Sequence, residues 1–373
     1  MLRPRPFLIL TTVLVAVALS SFLIPTLADN GPAHRVRNLH LGVSGGNVND
    51  RSSRFCCSGT LGSLVNFGGQ KYILSNNHVL ARSDQASAGE DVSQPGMIDA
   101  NCAVTTIVAD FTAAPPLGPS NVDAAVALLR PNQMDSTGEI EDIGIPSSTI
   151  ATATVGMSVA KSGRTTGFTT GTVSSVNTSV NVQYQRGCGQ GKKFVVSFTN
   201  QVVIGSSSFS AGGDSGSLIV TNNAAHSPVA LLFAGSSTST IGNPIGQVLT
   251  QVGIALGGPV SFGGIAGTGK GKSNVTLGES LGPQPLIPSL GGQMRQLPQQ
   301  AADRVAAVLE LHRDSLMSRS SVIGVGIGAD DDNDTEGAIV VYVDKTAGPR
   351  PILPKSIDGT RLKVVLTDPF VAL

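Results

Sequence analysis

Between Gly42 and Leu256 the chain is interrupted every few residues by glycine, and the pieces between are too short for ordinary helices. They are rich in Val, Ile, Leu and Thr. Short β-branched runs bounded by turn residues form strands, because such side chains suit a pleated surface and glycine supplies the backbone angles that turns need. Ser63–Phe67 and Lys71–Leu74 flank Gly68-Gly69-Gln70, the pattern of a hairpin. Ala124–Leu129, Gly171–Val176, Phe194–Val203, Ser217–Thr221 and Val229–Phe233 read as further strands. Pro244–Leu256 changes period: its apolar positions recur at helical spacing, so it should close the domain as a helix. Many short strands over this length imply a barrel or a pair of sandwiched sheets. The composition agrees, with 45 glycines, no tryptophan and only 13% charged residues.

Residues 257–296 are Gly-, Pro- and Ser-rich and show no period, so the span 261–298 is expected to be a linker. A second pattern follows. Gln299–Met317 is an amphipathic helix, and Val322–Ile327, Ala338–Val343 and Leu362–Leu366 read as strands. Residues 299–373 therefore form a small α+β module, expected to fold separately from what precedes it. Docking to a partner, holding the chain at the cell envelope and covering a cleft until removed are roles open to such a module. Its Val/Ile–Gly alternation at Val322–Gly328 suits a strand packed closely on a helix better than a phosphate loop. The acidic run Asp330–Gly337 lacks the turn glycine and closing Glu of an EF-hand and reads as a hairpin tip.

The first residues look like an export signal. Arg3 and Arg5 precede an apolar run from Phe7 to Ile24, and Ala28 provides a small residue at the expected cleavage point, giving a signal peptide over 1–28. Left uncleaved, the same segment would be a membrane anchor. Export to the extracellular space or cell envelope implies an oxidising compartment, so Cys56, Cys57, Cys102 and Cys188 should form two disulfides. Bridging the neighbours Cys56 and Cys57 would strain the chain. Two pairings then remain, each sending one neighbour to Cys102 and the other to Cys188. With Lys+Arg and Asp+Glu both at 25, nothing marks nucleic acid as a partner. No residue pattern calls for a metal or cofactor.

Three short motifs could carry chemistry. Ser215 lies in Gly212-Gly213-Asp214-Ser215-Gly216, leading straight into Leu218-Ile219-Val220. A serine nucleophile needs such a tight turn, where backbone N–H groups can meet a developing oxyanion. His78 follows the strand Tyr72-Ile73-Leu74 in Ser75-Asn76-Asn77-His78, the place for a general base, whereas a core histidine held by backbone groups is the bland reading. Asp123 heads the apolar segment Ala124–Leu129, where a buried carboxylate demands a partner. Asp110, at a strand end before Pro115-Pro116, competes less well for that role.

The order His78, Asp123, Ser215, these contexts, and the segment Lys161-Ser162-Gly163-Arg164-Thr165-Thr166-Gly167-Phe168 resemble the chymotrypsin-like serine proteases. The likeness is to the bacterial branch of streptogrisins and α-lytic protease, over about residues 43–260. The resemblance implies an all-β double six-stranded barrel across 29–260 that ends in a C-terminal helix. It implies a secreted endopeptidase acting on protein or peptide substrates, with Ser215 as nucleophile, His78 as base and then acid, and Asp123 orienting His78. Gly213 and Ser215 would supply the oxyanion-hole N–H groups. Phe233-Ala234-Gly235 would pair with the substrate backbone, and Phe209 and Ser210 would line the pocket for the residue before the cut. Val79 stands where the family carries a cysteine, so the disulfide pattern must differ. No acid lies across Phe209–Gly212, which argues for an apolar or small residue before the scissile bond. A catalytically silent binding protein on the same scaffold and a secreted serine esterase are the alternatives. The esterase would favour a strand-to-helix elbow at the serine, and here a strand follows instead.

Overall fold

The computed structural model describes residues 39–189, 191–263 and 296–373. The expected signal peptide and residues 264–295 of the expected linker lie outside the described residues. In chain order the strands are β1 (Val43–Asn47), β2 (Gly59–Leu61), β3 (Ser63–Phe67), β4 (Gln70–Ser75), β5 (Asp91–Gln94), β6 (Thr106–Ala113) and β7 (Ala125–Leu129). Then come β8 (Ser158–Lys161), β9 (Thr169–Gln185), β10 (Lys193–Ile204), β11 (Leu218–Thr221), β12 (Pro228–Gly235) and β13 (Thr240–Pro244). The last are β14 (Ser261–Phe262), β15 (Val322–Ala329), β16 (Gly337–Asp344), β17 (Ser356–Ile357), β18 (Thr360–Thr367) and β19 (Phe370–Ala372). Among the described residues three α-helices accompany them: α1 (Asn77–Leu80), α2 (Ile245–Leu256) and α3 (Gln299–Met317).

Two sheets result. The first has eight strands in the order β14-β3-β4-β7-β6-β5-β1-β2. It surrounds an aliphatic core that includes Leu61, Val65, Ile73, Leu74 and Val126, all fully buried. The helix α2 turns Ile245, Val248 and Val252 into this core, as its helical period requires. A twelve-residue helix is marginal alone, but each such burial contributes about 1.5–3 kcal/mol and holds it in place. The second sheet has eleven strands, in the order β10-β13-β12-β11-β8-β9-β15-β16-β18-β17, with β19 set against β12 and β9. Phe209, Ile219 and Leu232 belong to one buried cluster packed on it, and Phe198 and Phe233 to another. The fold is the expected chymotrypsin-like all-β pair closed by a C-terminal helix.

The second sheet exceeds the expected six strands because the C-terminal module joins it. β15 lies antiparallel to β9, with Gly324 opposite Val180 and Gly328 opposite Ser175. Residues 299–373, expected to fold separately, thus share one continuous sheet with the preceding strands. Val325 and Ile327 pack with α3, whereas the glycines lie on the other face of the strand, close to β9 and β16. A Cβ at Gly326 would stand 2.3 Å from Thr178 Oγ1 and 2.5 Å from Ser175 Oγ, so only glycine permits this approach. Arg313 of α3 reinforces the seam, donating to Asn177 O (3.2 Å) and Ser179 Oγ (2.8 Å). Of the two pairings open to the cysteines, the chain adopts Cys56–Cys102 and Cys57–Cys188. No helix among the described residues is long and apolar enough to cross a membrane.

Candidate active site

Antiparallel pairing of β4 with β7 sets Ser75 opposite Ala125, so the end of one strand meets the start of the other. His78, on the single turn α1 after β4, thereby falls beside Asp123, just ahead of β7. His78 Nδ1 and Asp123 Oδ2 are 2.6 Å apart, and the His78 backbone N–H donates to Asp123 Oδ1 at 3.1 Å. Asp123 is fully buried and its backbone is fixed on both sides. Asn76 Nδ2 donates to its carbonyl (2.7 Å), and its N–H donates to Asn243 Oδ1 (2.9 Å).

Tyr184, near the C-terminal end of β9, donates its hydroxyl to Asp123 Oδ2 at 2.8 Å and lies edge-on to the His78 ring. Burial, with the Asp123 charge and hydrogen bond, pushes the Tyr184 hydroxyl well above its ordinary range, so it remains a donor. For His78, burial disfavours the imidazolium. The Asp123 charge and hydrogen bond, the carbonyl of Leu373 and the charge of Asp50 together outweigh it and raise the pKa above 6.5. Asp50 lines the same cavity, and burial pushes its carboxyl up to about 6 against the pull of His78 and Arg82.

Ser215 comes from the second half, on the turn before β11. Thr60 of β2 donates its N–H to Ser215 O (2.8 Å) and its hydroxyl to Gly213 O (2.9 Å), tying the turn to the first sheet. The approach is close enough that a Cβ on Gly62 would sit 1.9 Å from Gly216 O. Gly213 has φ of 99°, a left-handed conformation natural to glycine. Among the described residues, the N–H groups of Gly213 and Ser215 meet no protein acceptor.

Asp214 anchors the same turn from beneath. Its carboxylate is fully buried and accepts from Thr165 N (2.8 Å), Thr166 Oγ1 (2.7 Å) and Ala211 N (2.9 Å). Lys161, also fully buried, places Nζ 3.6 Å from Asp214 Oδ2. Burial lowers the Lys161 pKa to about 8 even though Asp214 works the other way. Sequence reading quoted both residues but assigned neither a role. The signal available was one lysine inside an otherwise apolar strand, Ser158-Val159-Ala160-Lys161.

The predicted substrate-edge residues Phe233, Ala234 and Gly235 end β12 beside Ser215, whose Oγ donates to Phe233 O at 3.2 Å. No hydrogen bond joins Ser215 to His78 among the described residues. Phe209 is fully buried in the core of the second sheet, and its carbonyl accepts from Thr169 Oγ1 (2.7 Å). Ser210 Oγ pairs with Thr240 Oγ1 at 2.5 Å.

What sequence reading did not place is the segment lying in this cleft. β19 runs antiparallel to β12, with Ala372 opposite Ala234 and Val371 opposite Gly235. Leu373 N donates to Phe233 O (3.3 Å), and Leu373 O meets His78 Nε2 (3.2 Å). A cavity of about 210 Å³ continues beyond Leu373, lined by His78, Val79, Tyr184, Asp50 and the Cys57–Cys188 bridge. Among the described residues no cluster of His, Cys, Asp and Glu is arranged to hold a metal ion.

The family described as the Nal1 C-terminal domain matches residues 119–243, which include Asp123 and Ser215. A search of curated proteins finds no match. Among solved structures, a glutamic acid-specific serine protease is 22% identical, covering 60% of this chain and 98% of its own, with a TM-score of 0.41. Protease A of Thermobifida fusca is 19% identical, covering 61% and 98%, with a TM-score of 0.40. An α-lytic protease homologue is 21% identical over 61% and 98%, also at 0.40.

Proposed function

We propose that this chain is a serine endopeptidase in which His78, Asp123 and Ser215 act as a catalytic triad. One observation carries the reading. Ser215 Oγ and Leu373 N share the Phe233 carbonyl while Leu373 O touches His78 Nε2, so serine and imidazole flank a single residue of a bound peptide strand. A nucleophile and base that converge on one peptide group are what acyl transfer needs.

The steps follow from these positions. With a substrate in the cleft, the Ser215 hydroxyl turns from Phe233 O toward His78 Nε2, which takes its proton as Oγ bonds to the scissile carbonyl carbon. Asp123 holds His78 through Nδ1 and stabilises the cation. The carbonyl oxygen becomes an oxyanion facing the N–H groups of Gly213 and Ser215. Collapse breaks the C–N bond, and His78 returns its proton to the leaving amine. Water then repeats the sequence on the acyl-enzyme, releasing the acid and restoring Ser215. Phe233, Ala234 and Gly235 bind the substrate backbone by strand addition. Two disulfides support an extracytoplasmic setting.

The catalytically silent reading has one observation behind it, the bond from Ser215 Oγ to Phe233 O in place of His78. A fluorophosphonate probe separates the two. The expected result is an adduct on Ser215, located by mass spectrometry, and its loss in His78→Ala. An adduct undiminished in that variant would dissolve the triad.

A further inference from the structure

The segment from Phe370 to Leu373 is poorly explained as a mere end of the module. β19 is three residues long, yet it is wedged between two strands, antiparallel to β12 and parallel to β9. An isolated three-residue strand gains little from its own contacts, so its position must be specified at several points. Thr367, fully buried, donates to Ser236 Oγ (2.6 Å) and accepts from Thr238 Oγ1 (2.8 Å). Lys345 reaches Asp368 (3.0 Å), which lies between β18 and β19. Phe370 is fully buried against Tyr342, with ring centroids 5.6 Å apart. These anchors lead the chain to the cleft in one register.

That register is informative. Residue 373 stands opposite 233, 372 opposite 234 and 371 opposite 235, with the Leu373 N–H donated to the carbonyl that also receives Ser215 Oγ. We infer that Phe370–Leu373 is a substrate-like segment held in the chain's own cleft, with Leu373 in the subsite before the scissile bond, and that it marks an aliphatic side chain of leucine size as the preferred residue there. The inference rests on the proteolytic reading of the same cleft and gives it a substrate class.

The side chains support the assignment one by one. Leu373 packs against the apolar cluster containing Phe209, Val173, Val202 and Ile204. A Cβ at Gly235 would stand 2.9 Å from Leu373 Cδ1, so the glycine leaves open the space that this side chain fills. Lys161 Nζ lies 5.9 Å from the Phe209 ring centroid of that cluster, but its charge is already paired with Asp214 and does not call for a charged substrate side chain. Ala372 borders the cavity shared with His78 and Tyr184. Val371 is 37% exposed, so its subsite selects little. The Phe370 site is formed in part by Tyr342 and Val340 of the module itself. It therefore secures the segment in cis and says nothing about free substrates.

While the segment is in place, Leu373 O occupies His78 Nε2 and the substrate edge is paired, so the same geometry closes the site. Two variants of the full chain release it differently. Leu373→Asp puts a carboxylate into an apolar pocket while leaving Phe370 anchored, and deletion of 370–373 removes the segment. Both are checked by thermal melting. A fluorescein-labelled Val-Ala-Leu peptide is titrated against each by fluorescence polarisation, and fluorophosphonate labelling of Ser215 is timed. The expected result is peptide binding to either variant at least tenfold tighter than to the full chain, with labelling at least tenfold faster. Binding should weaken at least tenfold when the peptide ends in Lys or Glu. Folded variants that bind no better than the full chain would overturn the occupancy, and equal binding of Lys or Glu peptides would overturn the leucine-like pocket. Binding gained without any labelling would sustain the occupancy and defeat the proteolytic reading instead.

Discussion

The two halves of the molecule each bury one aspartate completely, and they treat it differently. Asp123, at the first sheet, meets the Nδ1 side of His78, the hydroxyl of Tyr184 and the His78 backbone N–H, with no lysine or arginine beside it in these contacts. Asp214, in the second half, faces the ammonium of Lys161 and a ring of backbone and hydroxyl donors. A carboxylate without a fixed cation can stabilise charge that appears on a neighbour during a reaction. A carboxylate with a resident cation has that capacity already used and serves to hold a turn. On the proposed triad, the contrast separates a chemical role from an architectural one, although burial is the same. It also crosses the halves, because Tyr184 and Asn243, which fix Asp123, belong to the second sheet.

The sharpest break of this comparison is to exchange both aspartates for asparagine. Asp123→Asn should cost roughly 10⁴-fold in kcat by leaving His78 in the wrong tautomer. Its melting temperature should change much less than that of Asp214→Asn. A large melting loss in Asp123→Asn with activity retained would reverse the assignment. Next comes Lys161→Met, which leaves Asp214 buried without its cation. Breaking such a pair costs about 3–5 kcal/mol, and melting should fall by roughly 10 °C. Lys161 also has a pH signature. With its folded pKa lowered from 10.5 to about 8, the folded chain binds fewer protons than the unfolded chain between those values. This group alone therefore makes stability rise from pH 8 toward 10.5, while activity falls as Asp214 loses its counter-charge. A difference of melting curves between the native chain and Lys161→Met checks the sign.

Smaller is the effect of Tyr184→Phe, expected to lower kcat by about tenfold, the worth of one hydrogen bond to a charged group. Asp123 then concentrates its charge on His78, so the acid limb of the pH–rate profile should move upward. A purely structural Tyr184 would lower melting and leave the limb where it was. Smallest is Asp50→Asn. Ionised Asp50 helps to raise the His78 pKa, so its removal should move the same limb downward with kcat on the plateau unchanged.

How much of this was legible in the sequence depends on the range of the contact. The turn at Gly213–Gly216 and the strand ahead of His78 are local patterns; the structure sets His78 against Asp123 and Ser215 Oγ on the Phe233 carbonyl. The helix Pro244–Leu256 and the helix Gln299–Met317 show their period directly, and the structure has both within a residue or so. Strain between neighbours limited the cysteines to two pairings but could not choose, because the choice depends on where the tip of the β9–β10 hairpin lies. Tyr184 was invisible for a similar reason. It sits in Val182-Gln183-Tyr184-Gln185, an alternating strand in which an inward tyrosine looks like any core residue. Its partner is 61 residues away. The edge joining β15 to β9 was signalled only by glycines at alternate positions. Those were attributed to contact with a helix, whereas the helix contacts the Val/Ile face.

The short connection from β18 to β19 has a kinetic consequence. Only Asp368 and Pro369 lie between the two strands, and Thr367 is fixed at the near end. A ligand joined to its site by so short a link is present at an effective concentration that dilution does not change. Exchange with an added peptide must then be governed by a unimolecular opening of the chain. Its rate would be independent of protein concentration and would saturate as the competitor is raised. The chain would thus carry a clock set by the anchors at Thr367, Asp368 and Phe370 rather than by the chemistry at Ser215.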